Sequence, residues 1–301
     1  MKHKLLFPAL VLAFGLLCGC STPKEYDPIA ATTLPVYEFT SQLCEGTDLT
    51  VTRLVTESVS CLHDYSLNVA QVRAAEAAET VVISGAGLEE FMDDILNNKT
   101  SIDASSGIAI IECEEEHDHE HEHEEEDEHD HEGHHHEIDS HIWLSPVNAM
   151  VMARNICESL CAQYPEFSDI FKNNLAGLLS DLEALQSYGE TELADLSCRE
   201  LITFHDGFAY FAEAFDLHII RAVEEESGSE ASAAELKDLI SIVREHELPA
   251  IFTETNGSVS AADVIARETG AAVYTLDMAM SGDSYFEAMY HNIDTIKEAL
   301  G

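Results

Sequence analysis

The histidines are the residues of this sequence best suited to chemistry, and three of them occupy similar positions. His205 directly follows the apolar segment Leu201–Phe204, and His63 follows the β-rich segment Leu49–Val55 after a loop. His141 lies just before the start of a predicted helix. In open α/β sheets, the loops at the carboxyl ends of parallel strands present the side chains that bind ligands. Each histidine alone could be an ordinary surface or capping residue, but their shared loop positions indicate a common site.

A carboxylate occupies the equivalent position in another segment, because Asp277 directly follows the predicted strand Ala271–Leu276. Three imidazoles and one carboxylate would give Zn²⁺ a closed tetrahedral shell with bonds of about 2.0 to 2.2 Å and no position for a reactive water. Such a site stores and transfers a metal. A turn or helix-capping role is the alternative for Asp277, and Asp283 is a weaker substitute as ligand. Asp64 and Asp206 each follow a histidine by one residue and could orient an imidazole through a hydrogen bond.

A second feature is an acidic run that contains nine of the sixteen histidines. The stretch Glu112–Glu137 holds fifteen Asp and Glu residues and neither Lys nor Arg, so 113–137 is predicted to be a disordered loop. Its negative charge concentrates divalent cations, and its imidazoles offer weak, exchanging ligands. We expect the run to gather metal for the main site, whereas a merely solvated acidic insert is the alternative. Its histidines are His117, His119, His121, His123, His129, His131, His134, His135 and His136.

The overall charge restricts the classes of partner. The formal net charge of the 301 residues is −44, which argues against nucleic acid and against electrostatic docking on anionic lipid, because phosphate-rich surfaces would repel the chain. Cations are the natural partners of such a surface.

The first twenty residues are typical of a bacterial lipoprotein signal. Lys2 and Lys4 precede an apolar segment, Leu5–Leu17, that is too short to span a membrane stably. The sequence Leu-Cys-Gly-Cys that ends at Cys20 resembles a lipobox, in which the Cys20 thiol receives the lipid. The alternative is an ordinary secretory signal that is cut near Gly19 or Ser21. Both interpretations predict an exported protein, with 1–19 as signal peptide and 20–27 as a polar tether.

Six further cysteines follow in the exported part, and the sequence does not assign pairs to them. Cys157 and Cys161 lie four residues apart on a predicted helix, so both are expected to face the core. We find no spacing that is typical of a zinc finger.

Alternating strand-like and helical segments predict an α/β fold with two lobes, each a small, mostly parallel sheet with flanking helices. In the first lobe, helix Leu88–Asn97 and a strand near Ile108–Glu112 precede the acidic run. A helix of about thirty residues opens at Pro165 and is long enough, at roughly 40 Å, to join the lobes. The predicted domains are 28–163 for the first lobe, 164–197 for the rigid linker helix and 198–301 for the second lobe.

Three short motifs resemble those of the metal-specific solute-binding lipoproteins of ABC importers, in particular the zinc group called ZnuA-like. The motifs are His-Asp-Tyr at 63–65, His-Ile-Trp-Leu-Ser-Pro at 141–146 and Phe-His-Asp-Gly-Phe-Ala-Tyr-Phe at 204–211. The resemblance covers most of the exported chain. It implies two α/β lobes joined by a rigid helix, with metal held in the cleft between them, where His63, His141, His205 and Asp277 are the candidate ligands. It further implies a monomer, anchored to the membrane by its lipid, that delivers Zn²⁺ to an ABC permease and ATPase.

The choice of metal and the class of function leave alternatives. Imidazole-rich sites suit zinc, whereas the manganese branch of the family often carries glutamate at the position of His205. A manganese-specific member and a surface metal buffer or adhesin therefore remain alternatives. A zinc hydrolase is a distant one, since the sequence has neither a His-Glu-x-x-His motif nor a Gly-x-Ser-x-Gly elbow. Glu254 could serve such an enzyme as a base. In a transport site it could instead support the metal ligands without contacting the metal.

Overall fold

The computed structural model describes residues 27–59, 62, 65–112, 138–224, 231–255 and 259–301. They form two parallel four-stranded sheets. The first has the order β2-β1-β3-β4 and the second the order β6-β5-β7-β8. The strands are β1 Ile29–Ala31, β2 Val51–Arg53, β3 Thr80–Ile83, β4 Thr100–Asp103, β5 Glu200–His205, β6 His218–Glu224, β7 Ala250–Glu254 and β8 Ala272–Leu276. The predicted two-lobed α/β fold is confirmed.

Helices flank both sheets, and local sequence explains where several of them begin. Asn68 and Ser232 each form a capping box with the residue three positions on, which satisfies backbone N–H groups that the first turn leaves free. Ser145 caps a helix whose first residue is Pro146, as the sequence predicted. The helices are α1 Leu34–Cys44, α2 Val69–Ala77, α3 Asp93–Leu96, α4 Pro146–Gln163, α5 Ser168–Glu192, α6 Ala209–Ala214, α7 Ala233–Glu245, α8 Ser260–Thr269 and α9 Tyr285–Leu300.

Helix α5 is the longest of these and touches both lobes. Its 25 residues span about 38 Å at 1.5 Å per residue. It begins at Ser168 rather than at Pro165, because Pro165–Phe167 form a single 3-10 turn. It packs against α1 and α4 of the first lobe and against α9 of the second. This is the packing that a connecting helix requires, while the domain boundaries 28–163, 164–197 and 198–301 stay predictions.

Two local predictions were wrong, and one helix was missed. The fourth strand of the first sheet is β4, not Ile108–Glu112, which contributes one isolated bridge between Glu112 and Ile138. Only Ile102 of β4 is buried, so the strand lacks the apolar run that would reveal it. The predicted helix Leu88–Asn97 is instead a 3-10 turn followed by the short α3. Helix α6 was not predicted.

One hydrophobic cluster joins the lobes. Phe39 of α1 packs edge to face on Tyr285 of α9, with ring centroids 5.1 Å apart. Trp143, the single tryptophan of the chain, is fully buried in the same cluster. The lobes therefore meet through a continuous core as well as through α5. Among the described residues, no helix is long and apolar enough to cross a membrane.

The four cysteines within the described ranges carry free thiols. Cys157 is buried, and Cys161 packs against the core with part of its surface exposed, as expected for two small apolar residues on one helix face. Burial raises the pKa of Cys44 to about 11 and that of Cys157 to about 12, so both thiols stay protonated at neutral pH. Cys20, Cys61 and Cys113 lie outside the described residues.

Candidate metal centre

Two of the predicted ligands meet at the junction of the lobes. His205 is the last residue of β5 in the second lobe, and His141 directly precedes the 3-10 turn Ile142–Leu144 that leads into α4 of the first. Both side chains are buried, and their Nε2 atoms are 3.4 Å apart, with the rings nearly perpendicular at 88°. Two nitrogens that share one tetrahedral metal with bonds of about 2.0 to 2.1 Å are separated by about 3.3 to 3.4 Å. The pair thus has the spacing of two ligands to a single ion.

A third buried side chain, Asp139, holds His141 in this orientation. Asp139 Oδ1 accepts hydrogen bonds from the backbone N–H of His141 at 2.8 Å and from its Nδ1 at 2.9 Å. A ring that donates from Nδ1 to a carboxylate has its Nε2 lone pair free for a metal. Asp139 Oδ2 is buried and accepts no hydrogen bond from the residues that the structure describes. This buried negative charge favours the arrival of a cation.

Sequence reasoning missed Asp139, because it looked for orienting carboxylates directly after each histidine. The signal that could have found it is an Asp two residues before His141, at a spacing that allows a tight turn back onto the histidine's own N–H. Asp206 is partly exposed, and Asp64 lies outside the described residues. Their predicted orienting roles stay predictions.

Gly207 lies against both imidazoles. A Cβ atom at this position would be 2.8 Å from each of three atoms: His141 Nδ1, His205 Cδ2 and Met278 Cε. Such distances are too short for carbon in van der Waals contact, so only glycine fits without displacing the rings. The same contact shows that the segment after β8, which begins with the predicted ligand Asp277, approaches the histidine pair.

Asp277 itself is partly buried, and its Oδ1 accepts a hydrogen bond of 2.7 Å from the N–H of Ala279. That contact is the turn-capping role considered as the alternative, and it leaves the other carboxylate oxygen available. Within the described residues, no group of three or more His, Cys, Asp and Glu side chains is close enough together to hold an ion. The structure therefore unites His141 with His205, while the role of Asp277 as ligand stays a prediction. His63 lies outside the described residues.

Glu254 ends β7, the neighbour of β5 in the second sheet. The strand register pairs Thr203 with Phe252, which places Glu254 beside His205 at the same carboxyl edge. The side chain is buried. A carboxylate at that point is consistent with the predicted role of Glu254, which is to support the metal-binding histidines without contacting the metal.

The two ends of the acidic, histidine-rich run lie next to the site. Glu112 and Ile138 form an antiparallel bridge, and the N–H of Asp139 donates to Ile111 O at 3.0 Å. Tyr210 Oη of α6, in the second lobe, accepts a hydrogen bond of 2.9 Å from the N–H of Ile111. The nine histidines of the run lie outside the described residues. Its attachment points are nevertheless adjacent to Asp139 and His141.

Comparison with known proteins gives consistent matches over nearly the whole chain. The family model described as zinc-uptake complex component A, periplasmic, matches residues 29–299. The zinc-binding lipoprotein AdcA of Streptococcus pneumoniae is 30% identical over 313 residues, covering 99% of this chain but 60% of AdcA. A putative metal-binding protein of Treponema pallidum is 30% identical over 302 residues, covering 96% of this chain and 93% of that protein.

Solved structures also match most of the chain. A crystal structure of ZnuA superposes with a TM-score of 0.76 at 29% identity, covering 91% of this chain and 99% of that one. The Zn(II)-bound ZnuA-like domain of S. pneumoniae AdcA gives a TM-score of 0.73 at 25% identity, covering 92% and 99%. The range that the family model matches, 29–299, includes both sheets and both histidines of the buried pair.

Proposed function

Because this chain belongs to the family of periplasmic zinc-uptake complex component A proteins, the ZnuA family, we propose that it captures Zn²⁺ between its two lobes and releases it to a membrane importer. The membership confirms the prediction of a metal-binding, extracytoplasmic solute-binding protein and of a chain that is no enzyme. The chain spans about 60% of the length of the AdcA relative, so the functions of that longer protein transfer only as part of this proposal.

The observation that carries the proposal is the 3.4 Å separation of the two Nε2 atoms of His141 and His205, with His141 held by Asp139. Neutral imidazoles suit zinc better than they suit manganese, which favours carboxylate oxygens. The proposed complete shell is His63, His141, His205 and Asp277. A shell closed by four protein ligands leaves no position for a reactive water and therefore serves storage and transfer.

Delivery and location are the finer parts of the proposal. Cys20 would carry the lipid that anchors a monomer to the cell membrane, and an ABC permease with its ATPase would receive the metal. The relative AdcA is named a lipoprotein, which supports the anchor. The acidic run would gather Zn²⁺ beside the site, because its two ends are attached next to Asp139 and His141.

Native mass spectrometry and titration calorimetry on metal-free protein test the proposal. The parent protein should bind one Zn²⁺ tightly, and Mn²⁺ more weakly. His205→Ala should lose the tight site, whereas His218→Ala, which removes an exposed histidine from the same sheet, should keep it. Deletion of Glu114–Glu137 should remove only weak, additional binding. Loss of the tight ion on that deletion alone would refute the assignment to the His141 and His205 site.

A further inference from the structure

The segment from Met278 to Tyr285 belongs to the second lobe in sequence but is hydrogen-bonded to the first. Arg53, at the end of β2, makes the central contacts with this segment. Its Nη1 donates to Gly282 O at 2.7 Å and its Nη2 donates to Met280 O at 3.3 Å, while Nε donates to Val55 O within its own lobe at 2.6 Å. The planar guanidinium fork thus joins the two lobes through three carbonyl groups.

Two further side chains of the first lobe hold the same segment. Glu38 of α1 accepts hydrogen bonds from the N–H of Tyr285 at 2.6 Å and from the hydroxyl of Ser284 at 3.3 Å, at the beginning of α9. Trp143 Nε1 donates to Met278 O at 2.8 Å, and its own carbonyl accepts from Tyr285 Oη at 2.8 Å. The attachment is therefore distributed along the segment from its first residue to its last.

Asp277, immediately before this segment, is held by the other lobe. Its N–H donates to Asn292 Oδ1 and its carbonyl accepts from Asn292 Nδ2, both at 2.7 Å, and Asn292 of α9 is fully buried. Asp277 thus lies where backbone fixed to the second lobe gives way to backbone fixed to the first. Two residues later, Ala279 has a φ of 52°, a conformation that is costly for a residue with a Cβ.

We propose that Arg53 is a positioning residue for the metal centre, which acts by holding the segment after Asp277 against the first lobe. The inference rests on the proposed function, in which Asp277 is a zinc ligand. While the guanidinium holds Met280 and Gly282, the backbone conformation at Asp277 keeps the carboxylate in the shell. When the lobes separate, this segment has to leave Arg53, Glu38, Trp143 and the N–H of Leu34, which donates to Met280 O at 3.2 Å, or it has to pull Asp277 away from the histidines. The Arg53 contact therefore contributes to the barrier to metal release.

The rate of zinc release, measured by stopped flow against an excess of chelator, tests the proposal. Arg53→Gln removes the charged fork and should accelerate release about tenfold, within the range that residues supporting metal ligands commonly show. Arg73→Gln is the matched control, because Arg73 is an exposed arginine on α2 of the same lobe, and it should release zinc at the parent rate. Equal rates for the two variants would overturn the proposal.

A double-mutant cycle with Asp277→Asn separates positioning from general stabilisation. If Arg53 acts through Asp277, Arg53→Gln should not accelerate release further once Asp277 is replaced. A full additional tenfold effect in that background would show that Arg53 acts elsewhere. Should Arg53→Gln fail to fold, Arg53→Lys keeps the charge without the fork and should accelerate release about threefold.

Failure of the Arg53 proposal can be distinguished from failure of the proposed function. If the parent protein binds no tight zinc, or if His205→Ala binds it as well as the parent, the proposed function itself fails. If zinc binding depends on His205 but the release rate is independent of Arg53, only the positioning role is overturned.

Discussion

Asp139 Oδ1 accepts two hydrogen bonds from one residue, the backbone N–H and the ring Nδ1 of His141, at 2.8 and 2.9 Å. The backbone bond closes a tight turn, and the ring bond selects the tautomer whose Nε2 faces His205. A single carboxylate therefore fixes both the backbone position from which the His141 side chain projects and the ring nitrogen that faces His205.

Replacing Asp139 should cost more free energy of zinc binding than free energy of unfolding. Asp139→Ala should lower the affinity about 10- to 100-fold, because the imidazole loses the acceptor that orients it. Asp139→Asn keeps an acceptor oxygen but loses the charge, and should lie between the parent and the alanine variant. Competition with a chromophoric chelator measures these affinities. Ser140→Ala is the control, since its buried hydroxyl makes no hydrogen bond with the described residues, and the prediction fails if both alanine variants bind alike.

The sequence predicted those parts of this centre that depend on residues close together in the chain. His205 was recognisable because it directly follows the apolar segment Leu201–Phe204, and α4 because Ser145 and Pro146 mark its beginning. Asp277 directly follows β8, and its role as ligand stays a prediction. Strand β4 was missed because three of its four residues are exposed, so burial leaves no apolar pattern in the sequence.

Other features could not be read from local sequence at all. The constraint on Gly207 arises from His141, 66 positions earlier, and from Met278, 71 positions later. The attachment of Arg53 to Gly282 spans 229 positions. Contacts of this kind depend on how the two lobes meet, which no local pattern encodes.

Gly207→Ala should impair zinc binding by displacing the ligands. The added Cβ would lie 2.8 Å from His141 Nδ1 and from His205 Cδ2, and neither buried ring can turn aside as a flexible chain end would. We expect an affinity loss of about tenfold or more by calorimetry, with folding retained by circular dichroism. In Gly177→Ala the added carbon meets no atom within 4 Å, so this variant should bind zinc as the parent does. Unchanged affinity in Gly207→Ala would mean that the two rings are free to move.

Glu89 should make the stability of the first lobe depend on pH. Burial raises the pKa of Glu89 from 4.5 to about 7, and the hydrogen bonds from the Thr32 hydroxyl and the N–H groups of Ser84 and Gly85 offset this only in part. Between pH 4.5 and 7 the folded protein therefore holds a proton that the unfolded chain has released. The stability that Glu89 contributes is complete below pH 4.5 and is lost as the pH rises through 7.

Denaturant unfolding of the parent and of Glu89→Gln, measured across this range, checks the sign. The difference in unfolding free energy, parent minus variant, should fall as the pH rises, by at most about 3 kcal/mol. Glu90→Gln replaces the exposed neighbouring carboxylate and should follow the parent at every pH. A difference that rises with pH would contradict the assignment of a raised pKa to Glu89.

Two glycines of the long helix α5 should respond in opposite directions to the same substitution. A Cβ on Gly189 would lie 2.2 Å from Phe215 Cε1, so this glycine allows the Phe215 ring to lie directly against the helix. Gly189→Ala should lower the free energy of unfolding by about 1 to 3 kcal/mol, because the ring has to move within a packed core. Gly177→Ala should raise it by about 0.5 to 1 kcal/mol, since alanine favours the helix and the added carbon has open space. Thermal and denaturant unfolding measure both changes in unfolding free energy. A more stable Gly189→Ala variant would show that the packing of Phe215 does not require glycine at position 189.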